Sequence, residues 1–151
     1  VRWVSALQAV PASLNAQVLP PVGTAVMVAN TQSGSCLDVP GTATADGTQL
    51  HIYDCLGSTI QKWTRTAAGE LRVYDNRCLD VNANGTTNGT KVQIWTCNGT
   101  TAQKFTFTAD GTIVGAGSGK CVDVTGGGSA NGTLVQLYDC NGTGAQRWSV
   151  R

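Results

Sequence analysis

Three evenly placed pairs of cysteines constrain the fold of this chain more than any other feature. Within each pair the cysteines are 19 residues apart, and the first cysteines of successive pairs follow at intervals of 42 and 43 residues. Recurrence at such a period is typical of an internal structural repeat. The sequence therefore predicts three related units with pseudo-threefold symmetry. The pairs are Cys36–Cys55, Cys78–Cys97 and Cys121–Cys140.

The equal spacing of these cysteines favours one disulfide within each repeat. Six oxidised cysteines can pair in about 15 ways, but only this pairing uses the same bridge three times. A zinc site is the alternative, and it is disfavoured because the chain has no Cys-x-x-Cys and a single histidine, His51. Disulfides indicate an oxidising setting. We therefore expect a secreted, extracellular protein with no metal site and no cofactor.

Each repeat has the same order of candidate strands. Cys-x-Asp-Val is followed by a loop, by a strand with alternating apolar residues that ends in the second cysteine, and by a turn leading to Gln-x-Trp or Gln-x-Phe. A shorter candidate strand precedes each first cysteine, in "TAVMVAN", "GELRVYD" and "GTIVGAG". No segment has a convincing helical period, so the repeats are predicted to be all-β. Three copies favour a trefoil, since a propeller normally has four or more blades.

The repeats account for most of the chain. They are expected to form one domain over residues 23–151, with units at about 23–65, 66–108 and 109–151. Residues 1–22 lie outside the repeat and contain three prolines. We interpret them as an N-terminal extension, which is either a linker or the end of a preceding module.

The alternation of side chains along a strand predicts what shares a face with each cysteine. Leu37 and Val39 should face the core, which places Asp38 on the opposite face with Cys36. In the second strand of each repeat, the aromatic residue and the polar residue two before it share the face of the second cysteine. If each disulfide joins directly opposed residues, the aspartate lies opposite the aromatic. The expected pairs are Asp38 with Tyr53, Asp80 with Trp95 and Asp123 with Tyr138, and the polar residues are His51, Gln93 and Gln136.

Such an outward-facing group suits a sugar. An aromatic face packs on the apolar side of a pyranose ring, and an ionised carboxylate accepts strong hydrogen bonds from two vicinal hydroxyls. Asn98 and Asn141, after the second cysteine, could close the site, and repeat one has Leu56 there. The alternative is structural, because aspartates often cap turns and tyrosines often cover a core. Trp63, Phe105 and Trp148 are predicted to lie in the core, and the glutamine of each Gln-x-Trp either braces a loop or reaches the ligand.

The whole pattern of Cys-x-Asp-Val, aromatic-x-Cys and Gln-x-Trp, repeated three times over about residues 24–151, resembles the ricin-type lectin repeats. These are also the ricin-type carbohydrate-binding modules attached to secreted glycosidases. The resemblance implies a β-trefoil with one shallow glycan site in each of three subdomains and usually no metal. The residues it implies as sugar contacts are Asp38, His51, Tyr53, Gln61, Asp80, Gln93, Trp95, Asn98, Gln103, Asp123, Gln136, Tyr138, Asn141 and Gln146.

The resemblance implies a function that involves no catalysis by this chain. We expect the chain to bind galactose-type sugars or xylan- or galactan-type polysaccharide. It is expected to be the C-terminal module of a secreted glycoside hydrolase and to target that enzyme to its polysaccharide. A free-standing multivalent lectin is the alternative, and a protein-binding or inhibitory trefoil is a further one. The expected partners are plant or microbial glycans and an attached catalytic domain, and the module itself is expected to be a monomer.

Composition argues against other classes of function. The net charge is +1 with only 13% charged residues, which disfavours binding to nucleic acid. No apolar run approaches the roughly 20 residues of a membrane helix. Glycoside hydrolysis usually needs two carboxylates within roughly 5–10 Å, whereas the strand aspartates lie in separate repeats. The Asn-Gly-Thr triplets, such as those at Asn88 and Asn131, are either glycosylation acceptors or tight turns.

Overall fold

The computed structural model describes residues 19–151, so most of the expected N-terminal extension lies outside the described residues. Residues 19–151 form short β-strands joined by loops and 3-10 turns. The strands are β1 Ala25–Val26, β2 Val28–Asn30, β3 Cys36–Asp38, β4 His51–Tyr53, β5 Trp63–Arg65, β6 Leu71–Val73, β7 Arg77–Val81, β8 Val92–Thr96, β9 Phe105–Phe107, β10 Ile113–Gly115, β11 Cys121–Val124, β12 Val135–Tyr138 and β13 Trp148–Val150. The 3-10 turns are Pro40–Thr42, Thr59–Gln61, Asn82–Asn84, Thr101–Gln103, Thr125–Gly127 and Gly144–Gln146.

The strands form three antiparallel sheets, and each sheet combines strands of one repeat with the last strand of the repeat before it in the cycle. Their strand orders are β1-β5-β6-β7-β8, β9-β10-β11-β12 and β13-β2-β3-β4. Because β13 pairs with β2, the end of the last repeat completes the sheet of the first. Isolated bridges join the sheets to one another, as between His51 and Leu134 and between Lys91 and Gln136. This closed arrangement is the predicted β-trefoil.

The core lies where the inward faces of the three sheets meet. It contains the aliphatic residues of the Cys-x-Asp-Val strands, such as Leu37, and those of the strands that follow, such as Ile94. Trp63 and Trp148 are also buried there, and each donates its indole N–H to a backbone carbonyl of its own repeat. Phe105 occupies the third equivalent position without a donor. The predictions that the aliphatics and these three aromatics face the core are confirmed.

Two details of the predicted strands are different. The segments that begin with Trp63, Phe105 and Trp148 are strands that the sequence pattern did not predict. The strands before the second cysteines end early, as β4 does at Tyr53, and the second cysteine lies beyond the strand.

The three predicted disulfides are present, each with a Cα–Cα distance of 5.1 Å. The predicted strand register, however, is wrong by two residues. The residue opposite Cys36 is Tyr53 rather than Cys55, and the residue opposite Asp38 is His51. The register is the same in the other repeats, where Asp80 pairs with Gln93 and Asp123 with Gln136. Each disulfide therefore joins the first cysteine, which lies in the strand ladder, to a second cysteine two residues beyond the position opposite it. The prediction had placed the two cysteines directly opposite each other.

Candidate functional site

The aspartates of the Cys-x-Asp-Val motifs are buried side chains. Asp38, Asp80 and Asp123 are only 2%, 5% and 5% exposed. The expectation that they point outward to solvent is therefore wrong, although the strand face that carries them is the predicted one. A buried carboxylate is costly unless hydrogen bonds satisfy it, and in each repeat two side chains do so.

The first of these is the glutamine of Gln-x-Trp, which lies in a 3-10 turn. The amide of Gln61 donates to Oδ2 of Asp38 at 2.8 Å and to the carbonyl of Asp54 at 2.7 Å, and it accepts from the backbone N–H of Leu56 at 2.7 Å. Gln103 and Gln146 make the equivalent bonds in their own repeats. All three are fully buried. Of the two roles that the sequence left open, bracing is the one that the structure shows.

The second partner is the polar residue directly across the strand ladder. It bonds the other carboxylate oxygen, Oδ1: His51 Nε2 at 2.6 Å from Asp38, Gln93 Nε2 at 2.9 Å from Asp80, and Gln136 Nε2 at 3.1 Å from Asp123. Each oxygen therefore accepts one hydrogen bond. Since an ionised carboxylate offers about four acceptor positions, roughly two remain on each aspartate for a ligand.

The strand aromatics are the exposed members of each group. Tyr53, Trp95 and Tyr138 are 38%, 39% and 39% exposed, although each lies opposite a fully buried cysteine. Each aromatic is two residues along from the position opposite its aspartate, so ring and carboxylate are diagonal neighbours on one strand face. A flat exposed ring beside a buried acceptor offers one apolar and one polar contact to the same ligand.

The second repeat has an open pocket at this place. It has a volume of about 540 Å³. Asp80, Gln93 and Trp95 line it with Asn98, whose Oδ1 accepts hydrogen bonds from Thr100. Gln93 Oε1 is buried without a hydrogen-bond partner in the described part of the chain. Such an acceptor in a pocket is ready to receive a hydroxyl proton of a ligand.

Electrostatics distinguish the aspartate of this pocket. Burial raises the pKa of Asp80 above its ordinary value of 3.8, and the hydrogen bonds from Gln93 and Gln103 oppose the rise. The charge of Asp46, from the loop of the preceding repeat, raises the pKa further. The carboxylate is therefore easier to protonate than an exposed aspartate, which links ligand binding at this site to pH.

The third repeat has a smaller pocket, of about 350 Å³. Asp123, Gln136, Tyr138 and Asn141 line it, so this pocket, too, unites the residues that the sequence singled out. Asn141 accepts hydrogen bonds from Thr143, as Asn98 does from Thr100. Gln32, which belongs to the first repeat, also lines the third pocket.

The first repeat has an aspartate, a polar residue and an aromatic residue arranged as in the other repeats, but the residue that follows its second cysteine is different. His51 bonds Asp38 and stacks on Tyr53, with ring centroids 5.6 Å apart. An exposed leucine, Leu56, replaces the asparagine of the other repeats. The first repeat therefore joins its predicted residues as the others do, but without the amide that borders the other two pockets.

Several pocket residues were not predicted from the sequence. Asn82, Ala83 and Asn84 lie in the 3-10 turn that directly follows Asp80-Val81, and they form one wall of the second pocket. The signal was their position directly after the motif. Gln32 was missed because it reaches the third pocket from another repeat, which reasoning within one repeat does not reveal.

Two further findings concern the described residues alone. In residues 19–151 no three histidine, cysteine or acidic side chains are grouped as metal ligands would be. No helix in that part of the chain is long and apolar enough to span a membrane.

Solved structures share this architecture. ThreeFoil, a designed protein with threefold symmetry, is 26% identical with a TM-score of 0.75, over 83% of this chain and 96% of that one. An exo-β-1,3-galactanase from Clostridium thermocellum is 27% identical with a TM-score of 0.77, over 87% of this chain and 31% of the galactanase.

A non-toxic homologue of type II RIPs from Momordica charantia (bitter gourd), solved in complex with α-methyl-D-galactoside, has a TM-score of 0.74 over 87% of this chain and 48% of that one. At 20% identity it supports the fold alone. This chain thus spans about a third of the galactanase and about half of the bitter gourd protein.

Sequence comparison leads to the same family as the structure. The family model described as "Ricin-type beta-trefoil lectin domain" matches residues 24–148, which is most of the chain. The match includes all three disulfides and all three aspartate–aromatic groups. This chain therefore belongs to the family of ricin-type β-trefoil lectin domains.

Proposed function

We propose that this chain binds galactose-type sugars, as residues of a galactan-type polysaccharide, without catalysing their hydrolysis. The observation that carries the proposal is the twice-braced aspartate beside an exposed ring, which occurs in every repeat. The bracing orients the carboxylate, and roughly two of its acceptor positions are left for vicinal hydroxyls. The ring of Trp95 or Tyr138 packs against the apolar face of the sugar.

The predicted site residues take two different roles in this proposal. One set has the position of a sugar contact in each repeat: Asp38 and Tyr53 in the first, Asp80, Trp95 and Asn98 in the second, and Asp123, Tyr138 and Asn141 in the third. The other set positions the carboxylates: His51, Gln61, Gln93, Gln103, Gln136 and Gln146. Gln93 belongs to both sets, since its amide nitrogen holds Asp80 while its free Oε1 accepts from the ligand.

One similar structure supports galactose as the first sugar to test. It is named an exo-β-1,3-galactanase and is 27% identical to this chain. We propose that this chain is the targeting module of a secreted glycoside hydrolase, since the galactanase contains a region of this fold that makes up 31% of its chain. A shallow site of this kind is expected to bind one sugar weakly, with a Kd on the order of 0.1–1 mM. Several such sites on one polymer gain affinity through avidity.

Calorimetry with methyl galactoside and affinity electrophoresis with galactan and xylan test this proposal. Asp80→Asn and Asp123→Asn preserve size but replace an acceptor oxygen with a donor. We expect each to abolish binding at its own site and the double variant to lose retention by galactan. Asp54→Asn is the matched control, because Asp54 is an exposed aspartate just after the end of β4.

If xylan retains the wild type and galactan does not, the proposed sugar is wrong but the proposed site stands. Unchanged retention of the Asp80→Asn/Asp123→Asn variant would overturn the site. Binding to neither polysaccharide nor methyl galactoside would overturn the function.

A further inference from the structure

We propose that one residue, supplied by the neighbouring repeat, decides whether each sugar site is open, and that only the second and third sites bind sugar. This inference rests on the proposed function and deepens it. The residue lies four positions before the first cysteine of each repeat. We call it the cross-repeat position, and its occupants are Gln32, Tyr74 and Gly117.

The cross-repeat position lies in a hairpin that ends against the pocket of another repeat. Gln32 shows the arrangement directly. Its amide donates to the carbonyl of Gly127 at 2.9 Å, and it lines the third pocket with Asp123. A Cβ on Gly144, on the other side of that pocket, would lie 2.5 Å from Gln32 Oε1. The Gln32 side chain thus lies between the two 3-10 turns of the third site and narrows it.

Gly117 has the same place beside the second site and supplies no side chain. A Cβ there would lie 2.5 Å from Oδ1 of Asn84, which lines the second pocket. In the second site, Asn84 therefore occupies the space that the Gln32 side chain occupies in the third site. The pocket volumes follow this difference, at about 540 Å³ beside Gly117 and about 350 Å³ beside Gln32.

Tyr74 brings a large side chain to the first site. It packs against the hydrophobic core together with Ile60, which belongs to the 3-10 turn of the first site. Its hydroxyl is buried with no hydrogen-bond partner in residues 19–151. Tyr74 also lines a cavity with Thr59, the first residue of that turn. Burial raises the pKa of Tyr74, and the charge of Asp38 raises it further.

The backbone at Tyr74 is in an unfavourable conformation. Its φ is 58°, a left-handed value that bulky residues seldom adopt. Asp75 also has a left-handed φ, of 70°, so both residues belong to the tight turn between β6 and β7. That hairpin is one residue shorter than those of Gln32 and Gly117, since Arg72 pairs with Cys78, whereas Ala29 pairs with Cys36 and Val114 with Cys121. The three residues therefore match by their distance from a cysteine, and only Tyr74 has the left-handed backbone.

The consequence is a binding valency of two. The first site keeps its aspartate, its tyrosine and its bracing glutamine, but the Tyr74 ring takes the volume that a sugar would need. Leu56 stands in this repeat where the other two repeats have Asn98 and Asn141. The missing asparagine agrees with a first site that binds no sugar.

NMR titration of the unmodified full chain with methyl galactoside tests the proposal without any variant. We expect the amide resonances of Trp95 and Tyr138 to shift with sugar concentration and those of His51 and Tyr53 to stay unchanged. Binding at the first site would then be at least roughly tenfold weaker than at the third. Saturable shifts at His51 and Tyr53 with comparable affinity would overturn the proposal.

Variants make the test reciprocal. In a background of Asp80→Asn and Asp123→Asn, Tyr74→Gly should create one new site of millimolar affinity, since glycine accepts the left-handed backbone. Tyr74→Phe, which keeps the ring, should create none. Conversely, Gly117→Tyr with Asn84→Gly, which makes room for the ring, should abolish binding at the second site and leave the third unchanged.

Failure of this inference is distinguishable from failure of the proposed function. If the wild type binds no sugar through Asp80 or Asp123, the function is wrong. If those sites bind but the Gly117→Tyr/Asn84→Gly variant still binds at the second site, only the cross-repeat position is wrong. Circular dichroism reports that each variant is folded, and in the Gly117→Tyr/Asn84→Gly variant the retained third site reports it as well.

Discussion

At the residue scale, the chemistry of each site depends on a carboxylate that is buried yet available. Gln103 and Gln93 occupy one acceptor position on each oxygen of Asp80, which offsets part of the cost of burying its charge. Burial still prevails, because the pKa of Asp80 remains above 3.8. An exposed carboxylate would be cheaper to ionise, but water would compete for every acceptor position that a sugar hydroxyl must fill.

The raised pKa predicts how pH acts on the second site. Sugar hydroxyls bind the ionised form, so affinity at this site should fall as the pH falls through the raised pKa of Asp80. The folded pKa lies above the unfolded one, so this group favours folding most below pH 3.8, and that contribution is lost as the pH rises through the folded pKa. NMR titration of the Asp80 carboxyl carbon should give a midpoint above 3.8 without sugar and a lower one with it. A midpoint that sugar does not change would contradict contact between Asp80 and the ligand.

At the element scale, the disulfide and the 3-10 turn position the parts of each site. Trp95 lies opposite Cys78 in the β7–β8 ladder, and Cys97 lies just past the end of β8. The bridge therefore connects the strand that carries Asp80 to the segment between Trp95 and Gln103. That segment leads into the turn Thr101–Gln103, from which Gln103 reaches back to the carboxylate.

Removal of this bridge should affect both stability and the second site. Cys78→Ala with Cys97→Ala should lower the free energy of unfolding by about 3 kcal/mol, by the loop-entropy estimate for a loop of this length. The third site should keep its affinity, because its own disulfide is intact, while the second site weakens as Trp95 and Gln103 lose their fixed spacing. Urea denaturation and calorimetry measure the two effects. Equal affinity at the second site in variant and wild type would show that the bridge does not position it.

At the scale of the whole molecule, the repeats depend on one another in a cyclic order. A glycine in the loop of each repeat donates its N–H to a strand carbonyl of the next: Gly47 to Ile94, Gly89 to Leu137 and Gly132 to Ile52, at 2.7–2.9 Å. The residue before each glycine adds a side-chain acceptor, as Asn88 does for the N–H of Asp139 at 2.8 Å. The Asn-Gly dipeptides at 88 and 131 are therefore turns, with a glycine φ of 92° in both.

This cyclic dependence predicts that the described domain unfolds in one step. Asn88→Ala removes the hydrogen bonds to Asp139 and should lower the free energy of unfolding by about 1 kcal/mol. Tryptophan fluorescence and far-UV circular dichroism should give coincident urea transitions. Asn76→Ala, which removes only a bond to the adjacent Arg77, is the control and should change stability by less than about 0.5 kcal/mol. Separate transitions for the two probes would show that the repeats unfold independently.

The sequence alone determined what local spacing can determine. The interval between cysteines identified the bridges, the period identified the threefold fold, and alternation along a strand placed Asp38 and Tyr53 on the face away from the core. These follow because strand geometry repeats every two residues and a duplicated unit keeps its pattern. The register error arose from assuming that bridged cysteines lie directly opposite, whereas the bridge lies beyond the ladder.

Only the tertiary structure decided how accessible each site is. Asp38 is buried because Gln61, 23 residues later, folds over it, and the filling of the first site that we propose depends on Tyr74 of the next repeat. Gln32, Tyr74 and Gly117 lie at equal distances from a cysteine in the sequence, but no spacing within one repeat shows which pocket each of them meets. Contacts between distant segments depend on how the sheets close on one another, and that closure is a property of the folded whole.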